Sequence, residues 1–327
     1  MASMNESTEI TDGCPRPIFY GLLYVDVDQK RNPNIRDAGD PLDIYLRCAS
    51  LCARSVAYHG YSFRLVTNEK CRIQQRLRDL SIAGMEILQQ QFTLSVPEDV
   101  KFRAAHFKLE LYSILGSGCF GDHVGVIDID SVMTGPINFP PLPPGTILGY
   151  DITDQVLPEY GRETVSSDLE RVSGTHLSEC RWLGGEFLFG HAESFRRLAD
   201  SVFQIWPKYI QSMEDLHHVG DEMLVSASIA NASLDLLDAG QLGFVVRWWT
   251  ARTNFRQMPF DKVSKRSILH LPSDKGFLAR FANDQFCPKR FLTEFKRAAR
   301  AKLFRRKLYN LVDIILHRKR KYVASLS

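Results

Sequence analysis

The chain has 327 residues, of which 44% are hydrophobic and 24% charged. That length allows one large α/β domain or two smaller ones with a substantial core, and that composition excludes a disordered or fibrous chain. The net charge of +3 is small but unevenly spread, with the basic residues gathered near the C-terminal end.

No run approaches the roughly 18 apolar residues of a membrane span. Residues 1–12 are polar, with three acidic residues and no apolar segment, unlike a signal peptide. Seven cysteines are scattered without a Cys-x-x-Cys pair. Their number is odd, which points to reduced thiols in a cytoplasmic protein rather than a disulfide framework or zinc site.

In chain order, residues 18–25 read as a first strand ending at Asp26 and Asp28. Residues 32–40 form a polar loop rich in turn formers. Residues 41–59 carry apolar side chains at helical spacing, and Gly60 stops that helix. A strand follows at 61–67, a helix at 69–82, a strand at 85–92 and a helix at 101–115. The run Val124-Gly125-Val126-Ile127 is then a buried central strand. Five prolines between 136 and 145 break the pattern, so a nucleotide-binding half is expected over 16–140 and an acceptor-binding half over 141–287. Residues 151–180 are polar with little periodicity and read as a mobile loop over a site or a disordered surface segment. Beyond them, strands are expected at 182–190, 245–249 and 268–271, and helices at 192–209 and 221–231. Strand–helix alternation with short connections predicts a Rossmann-type, mostly parallel sheet with helices on both faces.

The central strand leads into Asp128-Ile129-Asp130. Residues i and i+2 of an extended chain share a face, so two carboxylates stand together at the strand's C-terminal end, where open α/β sheets bind ligands. Carboxylates that close repel and favour a cation between them, the simplest being Mg²⁺ or Mn²⁺. An isolated Asp-x-Asp more often marks a solvated turn. The other pieces that bear on it come in a fixed order. Arg103 and Lys108 lie on the preceding helix, although both also fit its solvated face. Gly184-Gly185-Glu186 follows; paired glycines let a backbone approach a ligand closely. Gly220-Asp221-Glu222 opens a helix, where acidic residues also serve as dipole partners. His270-Leu271-Pro272-Ser273-Asp274-Lys275-Gly276 comes last.

This ordered set resembles the GT-A-type, nucleotide-sugar-dependent glycosyltransferases, most nearly the glycogenin-like and related bacterial polysaccharide families, over roughly residues 16–282. The last segment resembles that family's His-x-x-Gly-x-Lys, with Ser273-Asp274 standing where glycine is usual before the lysine. The resemblance implies a metal site of Asp128, Asp130 and His270, with Mn²⁺ or Mg²⁺. It implies donor contacts from Arg103, Lys108, Asp128, Gly185 and Lys275, with a UDP-sugar as the expected donor. Glu186, Asp221 and Glu222 are the candidate catalytic or acceptor-binding carboxylates. Trp248 and Trp249 could stack on a sugar ring or fill the core. A leaving nucleoside diphosphate gathers negative charge, which a bridging cation and basic side chains would stabilise.

Two other readings compete. Asp128-Ile129-Asp130-Ser131-Val132 also fits the opening motif of haloacid-dehalogenase-like phosphatases, but four strand-like segments precede it and Val225 stands at the corresponding position of the late acidic motif. A catalytically inactive carbohydrate-binding relative is the other.

Residues 289–321 hold thirteen Lys and Arg against Glu294 and Asp313, a local net of +11. Phe291, Leu292, Phe295, Leu303, Leu308, Leu311 and Ile315 recur at helical spacing. A basic amphipathic extension over 288–327 suits an anionic membrane surface; packing on the catalytic domain or a nucleic-acid contact are the alternatives, and no nucleic-acid partner is expected. The expectation is a metal-dependent hexosyltransferase acting on a saccharide or lipid-linked saccharide acceptor in cell-surface polysaccharide assembly, peripheral to the inner face of the membrane.

Overall fold

The computed structural model describes residues 17–26, 40–100, 102–177, 179–249 and 258–305. The polar loop expected at 32–40 lies almost wholly outside these residues, as do Asp28 and the tail beyond 305.

The first half follows the expected alternation: β1 (Ile18–Leu22), α1 (Pro41–Tyr58), β2 (Ser62–Thr67), α2 (Lys70–Asp79), β3 (Glu86–Gln89), α3 (Arg103–Gly116) and β4 (His123–Ile127). Local signals set the boundaries. Asp40 caps α1 by accepting from the Leu42 amide at 3.0 Å, and Pro41 opens the helix. Gly60 follows α1 with φ +81°, a left-handed turn that ends the helix.

A three-residue strand, β5 (Ser131–Met133), comes directly after Asp130, and β6 (Thr146–Asp151) emerges from the proline-rich segment. The expected mobile loop at 151–180 is instead two helices, α4 (Thr153–Tyr160) and α5 (Arg162–Ser173). Val165, Leu169 and Val172 recur on one face of α5 and are fully buried. That narrow apolar stripe suffices against α6 and α7 although most of the segment is polar. The chain continues through β7 (Leu183–His191), α6 (Ala192–Ser212), α7 (Asp221–Asn231), β8 (Asp235–Asp238), β9 (Val245–Arg247), α8 (Phe260–Val263), β10 (Ile268–His270) and α9 (Lys275–Ala279). Residues 288–305 form a further helix, α10.

The central sheet has the order β3-β2-β1-β4-β7-β6-β8. Its pairings are parallel except where β7 runs against β4 and β6. The α/β expectation holds, and the segments before and after the proline-rich stretch share one sheet, joined where β4 pairs with β7. A small second sheet, β5-β10-β9, sits at the C-terminal end of β4.

Two apolar cores follow. The larger joins the central sheet to its helices, including Phe19, Val126, Phe187 and Phe195. The smaller packs α1 and the second sheet against α9 and α10 through Leu51, Trp248, Leu269, Phe277, Phe291 and Phe295. The apolar stripe of α10 (Phe291, Phe295, Ala299) is therefore buried in the protein, which corrects its reading as a membrane-facing stripe. Leu303 and Phe304, one turn on, are exposed. Among the described residues no helix is long and apolar enough to cross a membrane, and the six described cysteines are free, with Cys48 and Cys52 buried on α1.

Candidate functional site

Asp128 ends β4. Its amide donates to the Glu186 carbonyl at 2.9 Å, extending the ladder in which Ile127 faces Phe187. The chain then turns, with the Ser131 amide donating to the Asp128 carbonyl at 3.0 Å, and leaves as β5. Ser131 pairs with His270 across the antiparallel β5–β10 ladder. That register carries His270 from the far end of the chain to the two aspartates. Its Nε2 lies 3.2 Å from Asp130 Oδ1 and 3.7 Å from Asp128 Oδ2. One donor atom from each of the three residues falls within 4.8 Å of the others.

Four basic side chains compensate the acids. Lys108 of α3 donates to Asp128 Oδ1 at 2.8 Å and to the Gly185 carbonyl at 3.0 Å, and stands 2.8 Å from Asp221 Oδ2. Lys275 donates to Asp130 Oδ2 and, at 3.0 Å, to the Pro272 carbonyl. Arg247 of β9 donates from Nε to Glu186 Oε1 at 2.7 Å and also pairs with Glu222. The Trp182 indole donates to the other oxygen of Glu222 at 3.2 Å. The fourth is His270, whose Nδ1 lies 3.3 Å from Glu186 Oε1.

The paired glycines are required by this network. A Cβ on Gly185 would stand 2.4 Å from Asp221 Oδ2 and 3.0 Å from Lys108 Nζ. One on Gly184 would stand 2.0 Å from Glu186 Oε2 and 2.8 Å from Arg247 Nη2. The backbone of β7 thus passes where side chains from α3, α7 and β9 converge.

The electrostatics separate the two aspartates. Burial would raise Asp130, but Lys275 and His270 outweigh it and hold the carboxyl well below the usual range. Asp128 is shifted upward, because burial exceeds the pull of Lys108 and His270. Burial would lower His270, but Asp130 and then Glu186 raise it to about 9. Glu186 would be raised by its burial, yet Arg247 and His270 drive it far below the ordinary value.

Two carboxylate oxygens and an imidazole nitrogen form a donor set that suits Mn²⁺ or Mg²⁺. Glu186, facing the Nδ1 side, would fix the ring so that Nε2 presents its lone pair toward the aspartates. The residues present therefore fit a divalent cation.

A cavity of about 280 Å³ opens over this cluster. Asp128, Asp130, His270, Lys108, Lys275, Gly185, Asp221 and Glu222 all line it. Lys108 is only 8% exposed, which removes the solvated-face reading. Two expected residues sit elsewhere. Glu186 is fully buried behind His270 and outside the lining, so the structure makes it a support rather than a group that meets a substrate. Arg103 pairs with Asp26 and donates to the Val96 carbonyl at 3.3 Å, likewise outside the lining.

Arg247 is a lining residue that the sequence motifs did not single out. Strand alternation held the signal: Arg247 and Trp249 face the cavity, whereas Trp248 packs into the smaller core, its ring centroid 5.1 Å from that of Phe295. Gln155, Glu159 and Tyr160 of α4 also line the cavity, because that segment is helical.

The chain matches no protein-family model and no curated protein. Among solved structures it is similar to the apo structure of the WbbM bifunctional glycosyltransferase, with a TM-score of 0.50 and 8% identity. The match covers 87% of this chain and 52% of that one, so the chain spans about half the length of that neighbour. At such identity the likeness is one of architecture. With the seven-stranded sheet and the aspartate–histidine cluster at its edge, the chain has a Rossmann-like, glycosyltransferase-like fold.

Proposed function

We propose that the protein is a metal-dependent glycosyltransferase that moves a sugar from a nucleoside-diphosphate donor to a saccharide acceptor. The observation that carries this reading is the convergence of Asp128, Asp130 and His270 with Lys108, Arg247 and Lys275 around one cavity at the C-terminal end of a central strand. Acids alone would bind a cation, and bases alone an anion. Together they suit a cation-bound diphosphate.

Asp128, Asp130 and His270 would hold Mn²⁺ or Mg²⁺, which supplies charge neutralisation on the departing diphosphate. Lys275 and Lys108 would take the remaining phosphate oxygens, with UDP as the expected nucleotide. Glu222 is clamped by Arg247 and Trp182. Asp221, whose ion pair is with Lys108, is therefore the proposed carboxylate toward the acceptor hydroxyl, as orienter or base. Glu186 and Arg247 position His270 and Glu222. Arg103 is proposed to reach donor phosphate only after leaving Asp26. We further propose a saccharide or lipid-linked acceptor in cell-surface polysaccharide synthesis. In that setting the exposed end of α10 and the basic sequence after it would rest on the inner membrane face.

UDP with Mn²⁺ at about 100 times its Kd should stabilise the protein by about 2.7 kcal/mol, a rise of several degrees in Tm. Asp128→Ala should abolish that shift and lower sugar transfer by at least about 100-fold. Equal stabilisation by UDP in EDTA would overturn the proposal.

A further inference from the structure

Behind Phe102, Tyr160 and His218 lies a second cavity of about 410 Å³, which shares those three residues with the first. Its volume falls within the range of small-ligand sites. Ile210 and Met213 give it apolar surface, and Asp99, Glu214 and His217 give it polar groups. Among the described residues that line it there is no lysine or arginine, whereas the first cavity holds Lys108, Arg247 and Lys275. Lysine and arginine thus stand on the side proposed for the diphosphate, and among the described residues that line the second cavity the charged side chains other than histidine are Asp99 and Glu214.

His217 is built into its place. Asp168 of α5 accepts from the His217 backbone amide at 3.0 Å and pairs with its Nδ1. A carboxylate only accepts, so a hydrogen lies on Nδ1 and Nε2 is the ring atom left to meet a ligand. That Nε2 is buried and has no hydrogen-bond partner among the described residues. The Tyr160 ring lies over the imidazole, with centroids 4.4 Å apart. A buried polar nitrogen left unmatched is a cost that a hydrogen-bonding partner on a ligand removes.

We propose that the second cavity receives the non-reacting units of the saccharide acceptor, and that it selects uncharged or amino saccharides over uronic, sulfated or phosphorylated ones. This rests on the glycosyl-transfer reading above. Sugar hydroxyls donate to Asp99 and Glu214 and can either donate to or accept from His217 Nε2, and the Tyr160 ring packs against sugar C–H groups. An anionic unit would meet two carboxylates with no lysine or arginine opposite them among the described residues. The shared wall lets one chain of sugars reach from this cavity toward Asp221 in the first.

The test uses the full chain, an array of neutral, amino and acidic oligosaccharides, and calorimetry with UDP and Mn²⁺. Wild type should bind neutral or amino oligosaccharides and pass over acidic ones. His217→Ala should weaken that binding about tenfold. The pair Asp99→Lys and Glu214→Lys, both at exposed positions, should admit acidic glycans. Affinity for UDP with Mn²⁺ should be unchanged in every variant. The proposal fails if wild type prefers acidic glycans, if both variants bind as wild type does, or if no glycan binds while UDP with Mn²⁺ does. Glycan binding that responds to the variants, with no UDP binding in wild type, supports this cavity and sinks the nucleotide reading instead.

Discussion

At the scale of single residues, the site is a closed exchange of charge: each acid in it has a base, and each base is oriented by a second acid or a carbonyl. Lys108 joins Asp128 to Asp221, and Arg247 joins Glu186 to Glu222. Such pairs are buried at a desolvation cost that only near-complete pairing offsets, so small steric changes should act on function before fold. Gly185→Ala is the sharpest case. The nearest atoms to the new methyl are the ends of two flexible side chains, Asp221 and Lys108. Its Kd for UDP with Mn²⁺ should rise about tenfold or more by calorimetry, with Tm within a few degrees of wild type. Unchanged affinity would mean that the Lys108–Asp221 contact does not bear on the donor.

At the scale of elements, the second sheet matters beyond its size. β5, β9 and β10 have three residues each, yet they deliver Asp130, Arg247 and His270 to one place. Three strands so short cannot hold themselves together. They depend on the smaller core, where Phe291 and Phe295 of α10 pack against Trp248 and Phe277. Lys302 of α10 also reaches Asp274, next to Lys275. Phe295→Ala should therefore cost about 3–5 kcal/mol, measured by urea denaturation. A cost below about 1 kcal/mol would show that α10 is dispensable to the site. Removal of the chain from 288 onward should be far more damaging than removal from 306 onward, which spares this packing.

At the scale of the whole molecule, charge is arranged by position. Acids and bases are interleaved in the first cavity, acids outnumber lysine and arginine among the described lining of the second, and basic residues crowd the C-terminal end. Leu303 and Phe304 are 45% and 68% exposed on α10, where Arg300, Lys302 and Arg305 are also exposed. Such a surface suits anionic lipid, with each basic residue contributing about 1 kcal/mol near it. The full chain should bind vesicles containing phosphatidylserine in a salt-dependent manner. Replacing Leu303 and Phe304 with serine should weaken that binding about tenfold, given about 1.5–3 kcal/mol for each fully buried large apolar side chain. Equal sedimentation of the variant and wild type would remove the docking proposal.

The sequence by itself determined the strand–helix order up to β4, because hydrophobic periodicity and capping residues act over a few positions. It also placed Asp128 and Asp130 together at the end of β4, although they meet in the turn closed by the Ser131 amide on the Asp128 carbonyl and not by alternation along an extended strand. Only the tertiary structure decided that Glu186 lies behind His270, that Arg247 enters the cavity and that Arg103 turns to Asp26. Those placements depend on strand register and on helices meeting across the sheet, which short-range patterns do not encode. The same holds for α4 and α5, whose thin apolar stripes gain meaning only against the partners they cover, and for α10, whose Phe291 and Phe295 found a core inside the protein rather than a membrane.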